Sequence, residues 1–172
     1  MTDSALIRPL RDEDVPALAS LAREIWRAHY PGIISVAQIE YMLAERYDEA
    51  VIREELTRRD LWWDVLMLEG NMTGYTSYFL TDSAGEMKID KLYLHPGVHR
   101  RGHGGKLIDH VAAFALDRGC KRLKLAVNRQ NQTAIAAYHK HGFQIAETSV
   151  RKIGGGFLMD DYIMVRPVRR EA

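Results

Sequence analysis

"HRRGHGGKL", His99 to Leu107, follows an apolar run that alternates like a strand and precedes one that repeats like a helix. Three glycines and three cations at such a junction need a physical reason. Glycine costs conformational entropy and like charges repel, so the stretch suits close approach of the backbone to an anion. A helix N-terminus there adds amides without intrahelical acceptors and about half a unit of positive charge. Gly102, Gly104 and Gly105 clear the rim, and Arg100, Arg101 and Lys106 bring charge suited to phosphate. A pyrophosphate is the natural guest. Two familiar nucleotide motifs fail, however. Leu107 stands where a P-loop has Ser or Thr, with Arg100 at the first P-loop glycine, and Leu107 also replaces the third glycine of the dinucleotide fingerprint.

Upstream of this stretch, "MKIDKLYLHP" sets Ile89, Lys91 and Tyr93 against Asp90, Leu92 and Leu94 and stops at Pro96, which predicts a strand ending in a turn. Downstream, Leu107, Ile108, Val111, Phe114 and Ala115 share one helical stripe that Gly119 terminates. Leu123, Leu125 and Val127 alternate in a further strand. Asn131 is placed to cap a helix carrying Ile135 and Tyr138, which Gly142 ends, and two strands follow near 143–150 and 157–165. Toward the N-terminus, "SALIRPL" reads as a strand, and Asp12 as the cap of a helix whose apolar face runs from Val15 to Trp26 and stops at Pro31-Gly32. A second helix starts near Ser35, a polar helical stretch covers 48–59, and "LWWDVLMLEGNMTGYTSYFLTD" predicts an antiparallel hairpin turning at Gly70-Asn71. The order implies an α/β chain whose central strand–helix–strand unit is a parallel right-handed crossover.

Length and composition set the bounds. With 172 residues, 47% of them hydrophobic, one buried core and one domain over 1–172 are expected. A net charge of +1 gives no general electrostatic reason to bind polyanions. Cys120 is the single cysteine, no signal pattern opens the chain, and no apolar run reaches the roughly 20 residues of a membrane span, so a cytoplasmic location is expected.

"KLYLHPGVHRRGHG", followed by a helix, a strand and "NRQNQTAIAAYHKHGF", resembles the GNAT superfamily of acetyl-CoA-dependent N-acetyltransferases. Two signatures carry the resemblance at their proper separation. One is the pyrophosphate loop, in which Gly102 and Gly104 match and His99 stands where the family usually has Gln or Arg. The other runs Asn131, Tyr138, Gly142, Phe143 without a gap. The resemblance implies the GNAT acyl-CoA N-acyltransferase fold, α/β or α+β by some schemes, with a mixed, mostly antiparallel sheet whose central parallel strand pair splays apart. It further implies acetyl-CoA as cosubstrate and no metal. The cofactor would be held by Leu92, Tyr93, Leu94, His99, Arg100, Arg101, Gly102, His103, Gly104, Gly105, Asn131 and Tyr138. Main-chain groups of Leu92 and Leu94 would bond the pantetheine arm. A main-chain N–H near Leu94 would face the thioester oxygen, and Tyr138 would be the acid that protonates the departing thiolate.

An alkyl ammonium has no lone pair until it sheds a proton, so a base or water chain is required. Glu86 and Asp90 share a strand face with Lys88, and Asp90 is the catalytic candidate on the family pattern. Trp26, His29, Tyr30 and Tyr41 could wall an acceptor site, and Asp160-Asp161 could add negative charge. Trp26, Tyr30 and Asp161 are the substrate-binding candidates, in loose similarity to polyamine and diamine acetyltransferases. His95, His99 and His103 recur every four residues, but Pro96, Gly97 and Gly102 argue against the helix that would stack them on a metal. The expected partners are a small-molecule amine and, as an allowed state, a second copy of the chain in a homodimer; neither nucleic acid nor a membrane is expected. The rival readings are a CoA-sensing module without catalysis and acetylation of a protein N-terminus. A nucleic-acid module would lean on Arg100, Arg101, Lys121, Arg122 and Lys124, without the stacking aromatics such modules use.

Overall fold

The computed structural model describes residues 4–170. Its elements run β1 (Ala5–Pro9), a 3-10 turn (Asp12–Asp14), α1 (Val15–His29), α2 (Val36–Arg46), α3 (Glu49–Leu56), β2 (Leu61–Leu68), β3 (Asn71–Leu80), β4 (Glu86–Leu94), a second 3-10 turn (Pro96–Val98), α4 (His103–Asp117), β5 (Arg122–Asn128), α5 (Gln132–Lys140), β6 (Gln144–Gly154) and β7 (Phe157–Pro167). The strands bond in the order β1-β2-β3-β4-β5-β7-β6. β4 and β5 are parallel, whereas β1–β2, β5–β7 and β6–β7 are antiparallel. The mixed sheet and the parallel strand–helix–strand unit expected from the sequence are therefore present. The described chain packs as two compact units. One takes the residues up to Tyr78 with Lys91–Leu107, the other Phe79–Asp90 with the residues from Ile108 on.

In the first unit the apolar stripe of α1 is buried at Val15, Leu18, Ala19, Ala22, Ile25 and Trp26. Asp12 is not the cap. It lies in the 3-10 turn and pairs with Arg53 at 3.0 Å, while the Asp14 carboxylate accepts from the Arg11 amide at 2.9 Å and from Arg8 at 2.7 Å. The difference arises because the chain leaves β1 through a 3-10 turn before α1, so Asp12 lies inside that turn and the Asp14 carboxylate turns back to the Arg11 amide, leaving α1 without a side-chain cap bond. Ser35 does cap α2, its hydroxyl accepting from the Gln38 amide, and Asp48 caps α3 by accepting from Ala50. The β2–β3 loop is Glu69-Gly70, one residue earlier than expected; both have positive φ (50° and 81°), as a two-residue hairpin turn requires. Trp26, Tyr47, Tyr75 and Tyr78 are fully buried here. Each such ring contributes roughly 4–6 kcal/mol of gross transfer free energy, set against ordering entropy.

In the second unit Leu123, Leu125 and Val127 of β5 are buried and the alternate residues are not. Ile108, Val111 and Ala115 of α4 are buried in this unit, and Leu107, the last residue of the first unit, is buried too, so the helix has the single apolar face its spacing predicts. Gly119, at φ 77°, stops it in the left-handed conformation. The β4–β5 ladder runs from Glu86↔Arg122 to Ile89↔Leu125, and both strands continue beyond its last pair, β4 to Leu94 and β5 to Asn128.

Candidate active site

The first unit holds the C-terminal half of β4 and the glycine-rich loop. Three contacts fix that half-strand. The Thr76 hydroxyl donates to the Lys91 carbonyl at 2.7 Å, and the His95 amide donates to the Thr73 carbonyl at 2.8 Å. The third is steric: a Cβ at Gly74 would stand 2.6 Å from Leu94 Cδ2 and 3.0 Å from the Tyr93 carbonyl oxygen, so only glycine lets β4 approach so closely. Past the strand, His95 Nδ1 accepts from the Gly97 amide at 3.0 Å, which leaves Nε2 to donate to Glu24 at 2.8 Å. His99 Nε2 donates to the Leu94 carbonyl at 2.9 Å. Two of the three regularly spaced histidines thus bind turns and an α1 side chain. Among the described residues no group of three His, Cys, Asp or Glu is arranged to hold a metal ion.

The loop itself turns through Arg100 (φ 63°) and Gly102 (φ 82°), then enters α4 at His103, where the Lys106 amide donates to the Gly102 carbonyl. Gly102 is required for its conformation, since a Cβ there would meet nothing within 4 Å. A Cβ at Gly104 would make ordinary contact with Leu94 Cδ1 at 3.7 Å, so its absence leaves the rim open without being forced by packing. Arg100, Arg101 and Lys106 are exposed. The amides of Gly102, Gly104 and Gly105 precede the first intrahelical bond and have no acceptor within the helix. A turn with left-handed residues, open amides and flanking cations fits a diphosphate in donor chemistry and in charge.

The second unit holds the other signature. The Asn131 side-chain oxygen Oδ1 accepts from the Ala134 amide at 3.4 Å and caps α5, with Asn131 5% exposed. Tyr138 lies seven residues on, about two turns along the same face. Its ring meets Phe143 edge-on at 5.7 Å, and the Phe143 amide donates to the Tyr138 carbonyl at 3.0 Å. Gly142, at φ 89°, lets the chain reverse between them. The spacing Asn131, Tyr138, Gly142, Phe143 therefore encodes a cap, a ring, a stop and a buried anchor.

The two strand carboxylates differ in surroundings. Glu86 is 3% exposed and accepts from the Thr81 hydroxyl at 2.8 Å; it pairs with Arg122 and lies 3.8 Å from Lys124. Burial works to raise its pKa, but the Thr81 and Arg122 hydrogen bonds and the nearby cations outweigh it and the pKa falls. Glu86 is thus a committed structural anion. Asp90 is half-buried on the same strand face. Arg122 and Lys124, two of the five cations a nucleic-acid reading would use, face Glu86 instead.

The acceptor candidates prove to be mostly interior. Trp26 is 1% exposed, with its ring 4.5 Å from Tyr30 and 5.6 Å from both Tyr47 and Tyr93. Tyr30 is 9% exposed, its hydroxyl 2.8 Å from that of Tyr93. Asp161 is 2% exposed, opposite Asn128 in the β5–β7 ladder, while Asp160 is exposed and 3.6 Å from Arg129. Sequence reasoning did not find Lys91 as an interior cation. It is 3% exposed, with its ammonium 4.9 Å from the Trp63 ring centroid and 5.7 Å from that of Tyr47. Its signal was its place between Ile89 and Tyr93 on the inward strand face.

Comparison with known proteins follows the same lines. The family model for the acetyltransferase (GNAT) family matches residues 18–143. The chain is 29% identical over 158 residues to the spermidine N(1)-acetyltransferase of Thermoplasma acidophilum, covering 90% of this chain and 94% of that one. It is 32% identical over 155 residues to an uncharacterized N-acetyltransferase of Mycobacterium tuberculosis, covering 89% and 97%. The crystal structure of PaiA N-acetyltransferase from Thermoplasma acidophilum in complex with coenzyme A superposes with a TM-score of 0.84 at 27% identity, covering 95% of this chain and 99% of that one. Loop, capped helix, mixed sheet and family match agree, and the chain belongs to the acetyltransferase (GNAT) family.

Proposed function

We propose that the chain acts as one N-acetyltransferase domain that moves acetyl from acetyl-CoA, by direct attack, to a primary amine of a small molecule, with polyamines and diamines the first class to test. The observation that carries this reading is the path of β4. It outruns its ladder with β5 at Ile89, continues to Leu94, and delivers the chain into a left-handed turn and the open amides of α4. Family membership and the 29% identity to a spermidine N(1)-acetyltransferase support the reaction and the first substrate class. The absence, among the described residues, of a helix long and apolar enough to cross a membrane accords with the cytoplasmic location we assign.

Acetyl-CoA supplies the acyl group already activated as a thioester. In the first unit, amides 102–105 with Arg100, Arg101 and Lys106 would bind the diphosphate, and main-chain groups of Leu92 and Leu94 would bond the pantetheine arm. The His99 side chain would act on the turn through the Leu94 carbonyl. A main-chain N–H near Leu94 would donate to the carbonyl oxygen as charge builds on it. Tyr30 would hold the Tyr93 hydroxyl, and Trp26, packed behind Tyr30, would fix that ring. In the second unit, Tyr138 would hold the proton that the thiolate takes up, Asp90 would accept the proton of the ammonium, and Asp161 would supply buried negative charge for a cationic acceptor. The test is release of free thiol from acetyl-CoA against a panel of amines. Amine-dependent, saturable release is expected. CoA binding with no release for any amine would replace the enzyme by a binding module, and release only with peptides bearing a free N-terminus would move the acceptor class.

A further inference from the structure

Strand β4 runs past its ladder with β5, which ends at Ile89, and stops at Leu94. The next residue, His95, holds that end of the strand through its backbone and its ring together. Its amide donates to the Thr73 carbonyl at 2.8 Å, and its carbonyl accepts from the Val98 amide at 3.0 Å. On the ring, Nδ1 accepts from the Gly97 amide at 3.0 Å and Nε2 donates to Glu24 of α1 at 2.8 Å. With φ −56° and ψ 136°, His95 heads the 3-10 turn Pro96–Val98 in the way an Asn or Asp heads a turn. A Cβ at Gly97 would stand 3.1 Å from Nδ1, so the ring seats against a residue that has none.

Only an imidazole makes both ring bonds at once. Asparagine has an oxygen where Nδ1 lies and could cap the turn, but it carries nothing where Nε2 lies. To accept from Gly97, Nδ1 must keep its lone pair, which puts the ring proton on Nε2, where the Glu24 carboxylate accepts it. One ring thus ties α1, the 3-10 turn and the end of β4 together. His99 adds a second hold, its amide donating to the Pro96 carbonyl at 3.3 Å and its Nε2 to the Leu94 carbonyl at 2.9 Å. Leu94 is therefore fixed between the backbone of His95 and the ring of His99. Its main-chain groups are the ones set above against the pantetheine arm and the thioester oxygen. Misplacing such a group by about 1 Å can cost on the order of 100-fold in rate.

We propose that His95 is a positioning residue for acetyl-CoA: anchored on Glu24 of α1, its ring holds the end of β4 and the head of the glycine-rich loop in the arrangement that receives the coenzyme. The proposal rests on the acetyl-transfer reading. Thiol release by the unaltered protein tests that reading, and coenzyme A affinity of the variants, relative to the unaltered protein, tests His95. His95→Ala removes both ring bonds. It should weaken coenzyme A binding by about tenfold in calorimetric titration and raise KM for acetyl-CoA by a similar factor, with KM for the amine changed less than about twofold. His95→Asn keeps the cap on Gly97 and should recover affinity to within about threefold of the unaltered protein. Glu24→Ala breaks the tether alone and should match His95→Asn. The double variant His95→Asn/Glu24→Ala should be no weaker than either single one, since both remove the same bond. Melting curves should confirm that every variant folds. Unchanged coenzyme A affinity in His95→Ala, even with a lower Tm, would leave the ring a structural cap and overturn the proposal. So would a His95→Asn variant as weak as His95→Ala, or losses that add in the double variant. An unaltered protein that binds coenzyme A yet releases no thiol with any amine would remove the transfer reading while the affinity series still decides the role of His95.

Discussion

Replacing Gly74 by alanine should loosen the C-terminal half of β4 and weaken acetyl-CoA binding together. The new methyl would stand 2.6 Å from Leu94 Cδ2, 3.0 Å from the Tyr93 carbonyl oxygen and 3.5 Å from Leu66 Cβ. The Leu94 tip can rotate, at about 0.5–1.5 kcal/mol for an off-rotamer side chain. The Tyr93 oxygen is backbone and must move with the strand. Over-packing of this kind costs about 1–3 kcal/mol, and the lower unfolded-state entropy of alanine returns about 0.4–1 kcal/mol. A net loss of about 1–2 kcal/mol lowers Tm by roughly 2–8 °C for a chain of this size. Because the displaced atoms belong to Tyr93 and Leu94, KM for acetyl-CoA should rise several-fold. Thermal melts followed by circular dichroism, paired with steady-state thiol release, measure both effects. An unchanged Tm with an unchanged KM would refute the claim that close approach at Gly74 positions this strand.

Two further predictions concern the second unit. Tyr138→Phe keeps the ring against Phe143 and removes only the hydroxyl. It should therefore leave Tm and CoA affinity in place and lower kcat by about 10- to 1,000-fold, as expected for loss of a general acid. An unchanged kcat removes Tyr138 from that role. Glu86→Gln should cost about 1–2 kcal/mol at neutral pH, since Arg122, half exposed, regains water. Glu86 has its folded pKa lowered, so its stabilisation is complete above the unfolded value of about 4.3 and fades as pH falls through the lower folded value. The difference in Tm between the two proteins should stay constant from neutrality down to about pH 5 and shrink below about pH 4. A difference that grows as the medium is acidified would contradict the ion-pair account.

Much of this was legible in the sequence because periodicity and punctuation agree. The α4 stripe from Leu107 to Ala115, the stop at Gly119, the Ser35 and Asn131 caps and the β4–β5 crossover each follow from local patterns that tertiary packing reinforces. The start of α1 was harder to read because three acids in a row, Asp12 to Asp14, satisfy the same pattern; Asp14 takes the N-cap position, but its carboxylate turns back to the Arg11 amide and Arg8 and makes no cap bond to the helix. Burial of charge was illegible for a different reason. Lys91 and Asp161 look like ordinary polar strand residues until the aromatic rings and ladders around them are known. Trp26 and Tyr30 read equally as an acceptor wall or as interior packing, because an aromatic cluster near a helix end carries no mark of which face it turns inward.

Calorimetric titration with coenzyme A, beside pantetheine, which shares its thiol arm and lacks its diphosphate, tests the central assignment most directly. The open amides and cations at the start of α4 predict saturable binding of coenzyme A at one site per chain and at least about 100-fold weaker binding of pantetheine. Equal affinity for the two, or no binding of coenzyme A, would contradict it.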